Sequence, residues 1–149
     1  MEKIPFKERV KNIAIACAVK YRNTFCNYEY LIISNAFTEK HVKIHADKDN
    51  YMHLLGVNSN LSASDIECQQ NFSKGKVSCS FASASNKYTI GFVATGRPMT
   101  LMKNNQLAKD KSKPVIAVLR KEKGSNTFND IIYGDIAGYE NIVSKINQQ

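Results

Sequence analysis

Apolar positions at the start of the chain follow a helical period. Phe6, Val10, Ile13, Cys17 and Tyr21 stack along one face, and Pro5 suits the first turn, which predicts a helix from Phe6 to about Arg22. Ala14, Ile15, Ala16, Ala18 and Val19 widen its apolar surface, so the helix is expected to be clamped between a sheet and other elements. From Tyr28 the period shortens. Tyr28 to Ser34 is β-branched and aromatic, and Val42-Lys43-Ile44-His45 alternates strictly, which predicts two antiparallel strands joined through Asn35 to Lys40. Asp47 to Asn50 supplies helix-start residues for a short helix, Tyr51 to Gly56, ended by its glycine. Ser64-Asp65-Ile66-Glu67 has capping-box spacing and predicts a further helix to about Phe72.

Strand character then returns. Val77 to Phe81 and Tyr88 to Ala94 are candidates, and the continuous apolar run Pro114 to Leu119 suits a central strand covered on both faces. Phe128 to Ile136 follows a Gly124-Ser125-Asn126 turn, and a short helix from Tyr139 to about Ile146 comes last. This order implies an α+β domain around an antiparallel sheet, with residues 1–149 as a single domain and Asn104 to Lys113 as its longest linker.

Charge narrows the partner. The chain carries +8, and the stretch from Arg97 to Lys123 holds eight bases against two acids. Such a concentration favours a polyanion or, more plainly, a solvated lysine-rich loop. Cys17, Cys26, Cys68 and Cys79 form no CxxC pair and have no histidine at metal-ligand spacing, so they are read as reduced thiols with no metal and no cofactor. No apolar run is long enough for a membrane span, and the N-terminus does not read as a secretory signal, so a cytoplasmic location is expected.

Phosphate-loop, dinucleotide, zinc-protease and serine-hydrolase motifs are missing, and the acids are too scattered to suggest a magnesium site. Metal-free RNA cleavage needs a base for the ribose 2′-OH, an acid for the departing 5′ oxygen, and cations for the phosphoryl charge. Histidine suits both proton tasks near neutrality. The chain has His41, His45 and His53. His53 sits in the apolar run Tyr51-Met52-His53-Leu54-Leu55-Gly56-Val57, either facing a partner or packed at a helix edge. His45 shares an alternation face with Lys43, and His41 reads as an exposed hairpin residue. In Thr95 to Lys103, Gly96 and Pro98 impose a bend, and Arg97, Thr100 and Lys103 offer a guanidinium, a hydroxyl and an ammonium for a phosphate.

Together these segments resemble a family. Tyr51-Met52-His53-Leu54-Leu55-Gly56-Val57 resembles the F-x-H-L-x-G-V motif of phage-associated Barnase–EndoU–colicin E5/D–RelE-like nuclease domains, with Tyr where Phe is typical. Pro98-Met99-Thr100-Leu101-Met102-Lys103 resembles their downstream P-x-[ST]-L-[LM]-K element, and the likeness runs from roughly Tyr21 onward. The resemblance implies N-terminal helices packed on a twisted antiparallel sheet whose open face binds RNA. It also implies a metal-independent endoribonuclease, with an antitoxin or host protein as a further partner. On this sequence His53, Thr100 and Lys103 are the expected catalytic set. Lys43, His45, Tyr51, Arg97, Arg120 and Lys121 are the expected RNA contacts. The alternative is an inactive module on the same fold that binds nucleic acid or blocks a host protein. A purely structural role as an oligomer subunit is a third reading.

Overall fold

In the computed structural model, residues 5–46, 50–70, 77–83 and 88–148 are described. The elements are α1 (Phe6–Phe25), β1 (Tyr28–Ser34), β2 (His41–His45), α2 (Tyr51–Leu61), β3 (Ile66–Gln70), β4 (Cys79–Ser83), β5 (Tyr88–Phe92), β6 (Pro98–Lys103), β7 (Lys113–Glu122), β8 (Asp130–Gly134) and α3 (Glu140–Asn147). The strands form one eight-stranded sheet in the order β2-β1-β7-β3-β4-β5-β6, with β8 also on β7. Every pairing is antiparallel.

The alternation of side chains makes two cores. Tyr30, Ile32, Ile44, Cys68, Phe81, Ile90, Phe92 and Val118 point to one side, where Leu54, Leu55 and Val57 of α2 meet them. Leu31, Ile33, Ala117 and Leu119 point to the other, where Phe128 and the α3 residues Val143 and Ile146 cover them. The sheet therefore curls around α2 and carries α3 on its outside.

That arrangement overturns the expectation of N-terminal helices packed on a twisted sheet. Strands dominate, α1 lies principally against α2, and α2 rests on β4, β5 and β6. The expected helix after Ser64 is a strand as far as it is described, with residues 71–72 outside that range. Ile66 and Cys68 face the α2 core while Glu67 and Gln69 face away, so the period is two, and pairing with β4 and β7 outweighs the local capping spacing. Gly56 does not end its helix either. A Cβ there would lie 2.8 Å from Leu101 Cδ1 and 2.9 Å from Ile90 Cδ1, so the missing side chain lets α2 settle onto β5 and β6. The linker from Asn104 to Lys113 is pinned to the sheet. Thr89 Oγ1 donates to Asn104 O (2.7 Å) and accepts from Gln106 N (2.8 Å), and Gln69 Oε1 accepts from Ala108 N (2.8 Å).

The expected hairpin, the central strand β7 and the last helix are present. No helix among the described residues is long and apolar enough to cross a membrane.

Candidate functional site

The end of β2 meets the tip of the β5–β6 hairpin. Gly96 N donates to Val93 O (2.9 Å) and Val93 N to Arg97 O (3.0 Å), closing a three-residue loop in which Gly96 takes φ +90°. Its carbonyl accepts from His45 N at 2.9 Å, so the loop pairs with the free edge of β2 and draws the two ends of the sheet together. Only glycine suits this seam. A Cβ at Gly96 would lie 2.4 Å from Lys43 O and 3.2 Å from Ile44 Cα.

Three of the expected residues, Lys43, His45 and Arg97, lie at this rim; Lys43 and His45 alternate with Ile44, which packs in the α2 core, so both point to the opposite side of β2 from that helix and from His53. Lys43 is exposed, His45 is half-buried with Nδ1 3.2 Å from Ala46 O, and Arg97 is exposed on the loop that abuts them. Neither Lys43 nor Arg97 has an acidic partner among the described residues. His53 approaches from α2. The short link from Ala46 to Asn50 holds the start of that helix within about 14 Å of β2. Asn50, its N-cap, accepts from Met52 N (3.1 Å) and His53 N (3.2 Å), which fixes the backbone of the first turn. The His53 ring is half-buried, with Nδ1 buried. Tyr51 opens the same turn, and its side chain lies outside the described residues, as do residues 47–49.

Thr100 and Lys103 are elsewhere. Thr100 pairs with Gly91, and its Cγ2 would lie 3.0 Å from a Cβ there, whereas α2 sits on the face carrying Ile90 and Leu101. Thr100 and α2 are thus on opposite faces of the sheet. Lys103 shares the α2 face but pairs with Tyr88, at the strand ends away from the Gly96 loop. Leu101, between them, is the motif residue that touches α2.

Arg120 and Lys121 are engaged internally. Arg120 Nε donates to Asp130 Oδ2 at 2.6 Å, and its guanidinium lies 4.5 Å from the Tyr28 ring centroid. The hydrogen bond to Asp130 raises its already high pKa. Lys121 Nζ donates to Ser125 O (2.9 Å), pairs with Glu29 (3.4 Å) and sits 5.0 Å from the Phe128 ring centroid. Neighbours on one strand, they point to opposite faces. His41 Nδ1 lies 2.8 Å from Glu39 O, back in the β1–β2 hairpin.

Cys26, Cys68 and Cys79 are buried and form no disulfide, and burial pushes Cys68 and Cys79 up to about 12. Among the described residues no group of three His, Cys, Asp or Glu side chains is placed to hold a metal.

The sequence profile of phage-Barnase-EndoU-ColicinE5/D-RelE like nuclease4, PBECR4, matches residues 15–94, more than half of the chain. The chain belongs to the PBECR4 family. The PBECR4 match takes in β1, β2, α2 and the strands to β5, and so contains Lys43, His45 and His53. Arg97, Thr100 and Lys103 fall beyond it. No curated protein and no solved structure matches the chain. Sequence reasoning missed Gly96 as the closing residue of the sheet. Its position four residues past Phe92, the end of β5, and directly before Arg-Pro was the available signal.

Proposed function

We propose that this protein is a phage-associated endoribonuclease whose reaction centre is the rim where β2 ends, α2 begins and the Gly96 loop closes the sheet. The observation that carries the reading is the join between His45 and Gly96, inside and just beyond the segment that matches a nuclease family. It brings Lys43 and Arg97, which have no acidic partner among the described residues, beside His45, with His53 on the first turn of α2 across the end of the strand.

In this reading one imidazole, His53, takes the proton of a ribose 2′-OH as that oxygen attacks the adjacent phosphorus. The bond from phosphorus to the 5′ oxygen breaks, and His45 returns a proton to the leaving oxygen. The products are a 2′,3′-cyclic phosphate and a free 5′-hydroxyl. Arg97 and Lys43 hold the phosphoryl oxygens as their charge grows. Thr100 and Lys103 have no part in the chemistry on this reading, because Thr100 packs its methyl over Gly91 and Lys103 stands at the strand ends away from the Gly96 loop.

The test is RNA cleavage in excess EDTA with the 3′ ends of the fragments analysed. Wild type should release cyclic phosphate ends, and His53→Ala should lose about 100-fold or more of the rate. RNA left intact by wild type, or cleavage unchanged in His53→Ala, removes the proposal. Salt-sensitive binding without product would favour the inactive nucleic-acid-binding module instead.

A further inference from the structure

Beside the end of β7 lies a pocket of about 290 Å3 that the cleavage reading does not use. It is at the small end of ligand-binding cavities, which run from roughly 300 to 1,000 Å3. Tyr28 and Arg120 form one wall, a phenol ring under a guanidinium, and Asp130 holds the guanidinium in place at 2.6 Å. Thr127 and Asn129, both exposed, and Asp130 supply hydroxyl, amide and carboxylate groups around it.

The charge of the pocket is decisive. Arg120 is matched by Asp130 and Lys121 by Glu29, and Glu122 adds another carboxylate to the wall. A phosphate would meet cations that are already neutralised and an acid besides, so this is a poor anion site. A flat, neutral group rich in donors and acceptors suits it. Unstacked RNA bases are such groups, and they are commonly bound by stacking on aromatic rings or guanidinium planes with side chains reading their edges.

Position supports the same occupant. His45, Glu29 and Lys121 stand in register on β2, β1 and β7, so the Lys121 edge of the pocket lies about two strand spacings, some 10 Å, from the end of β2, while Tyr28 and Arg120 form its wall on the face turned to the α2 core. That is close enough for one chain to reach both places.

We propose that this pocket seats a single RNA base, which lies against the Tyr28–Arg120 pair while Asn129 and Asp130 read its edge. The inference rests on the RNA-cleavage reading and adds to it a subsite that sets base preference.

The experiment titrates the protein separately with adenosine, guanosine, cytidine, uridine and ribose 5-phosphate, following backbone amide shifts of residues 125–130 by NMR. Nucleosides should produce saturable shifts there with affinities that differ among the four, and ribose 5-phosphate should not. Tyr28→Leu should weaken every nucleoside about tenfold or more. Asn129→Ala, an exposed change that leaves the fold intact, should alter the ranking among them. No nucleoside shift at these amides, or an equal response to ribose 5-phosphate, overturns the proposal. So does a ranking untouched by Asn129→Ala. Cleavage by the same preparation is scored independently. RNA cut without nucleoside binding sinks the base pocket alone, and nucleoside binding without cleavage upholds the pocket while sinking the nuclease reading.

Discussion

Two glycines sit where elements of the molecule press closest, and their surroundings differ in kind. At Gly56 the neighbours are the ends of the Leu101 and Ile90 side chains and Ile90 Cβ, in an apolar interior, and the backbone is ordinary helix. At Gly96 the neighbour is a backbone carbonyl, Lys43 O, and the residue itself takes φ +90°. Side-chain ends rotate out of the way; a carbonyl held in a strand does not. The interior around α2 therefore has some tolerance, while the seam that brings the expected RNA contacts together has almost none.

The same substitution at both places tests this. Gly96→Ala should cost about 3 kcal/mol, from the left-handed backbone and the overlap together, and should also depress RNA cleavage by separating the loop from β2. Gly56→Ala should cost about 1–2 kcal/mol, because better helix propensity offsets part of the crowding, and should leave cleavage unchanged in protein that remains folded. Urea denaturation midpoints give both values, and equal costs would break the contrast.

Charge sharpens it further. Arg97→Ala and Lys43→Ala should each reduce the dependence of log affinity on log salt by about 0.7 for single-stranded RNA, since each removes one phosphate contact. A slope untouched by either would detach the rim from RNA binding. In the interior the expected effect is one of pH. Burial raises Cys68 and Cys79 from an ordinary value near 9 to about 12, so the folded chain keeps thiol protons that the unfolded chain releases. Their contribution is complete below about pH 9 and is lost as pH climbs towards 12. Urea midpoints at about pH 8 and 10.5 should therefore fall, and less steeply in Cys68→Ala. Smallest of all is Thr100→Val, which keeps the methyl packed on Gly91 and should change cleavage less than twofold; a tenfold loss would return the hydroxyl to the reaction centre.

Much of the architecture was legible because single elements announce themselves by period. The first helix, the β1–β2 hairpin and the apolar β7 each follow from local pattern. Asn50 was within the expected helix-start group and caps α2 through its side chain. What local pattern could not show is partnership. Ser64 to Glu67 has a good helix-capping arrangement, and only the strands on either side of β3 make it extended. The pattern in Thr95 to Lys103 predicts a phosphate-gripping turn because Gly96 and Pro98 bracket an arginine. From Pro98 onward it is a strand, so alternate residues part company, and Thr100 faces away from Leu101. The sequence offers Arg120 and Lys121 as RNA contacts, but Asp130 and Glu29, residues distant in sequence or on another strand, pair with them in the fold.

Strand β7 has a further consequence, in time rather than in space. One of its edges is shared between β3 and β8, and the other is taken by β1, whose chain position is far earlier. During synthesis β1 must wait for β7 to emerge before its second neighbour exists, and β3 likewise for one of its two. The β1–β2 hairpin and the β3 to β6 strands can each pair as they emerge, but the two sets join into one sheet only when β7 is available, so the whole sheet closes late in the translation of the chain.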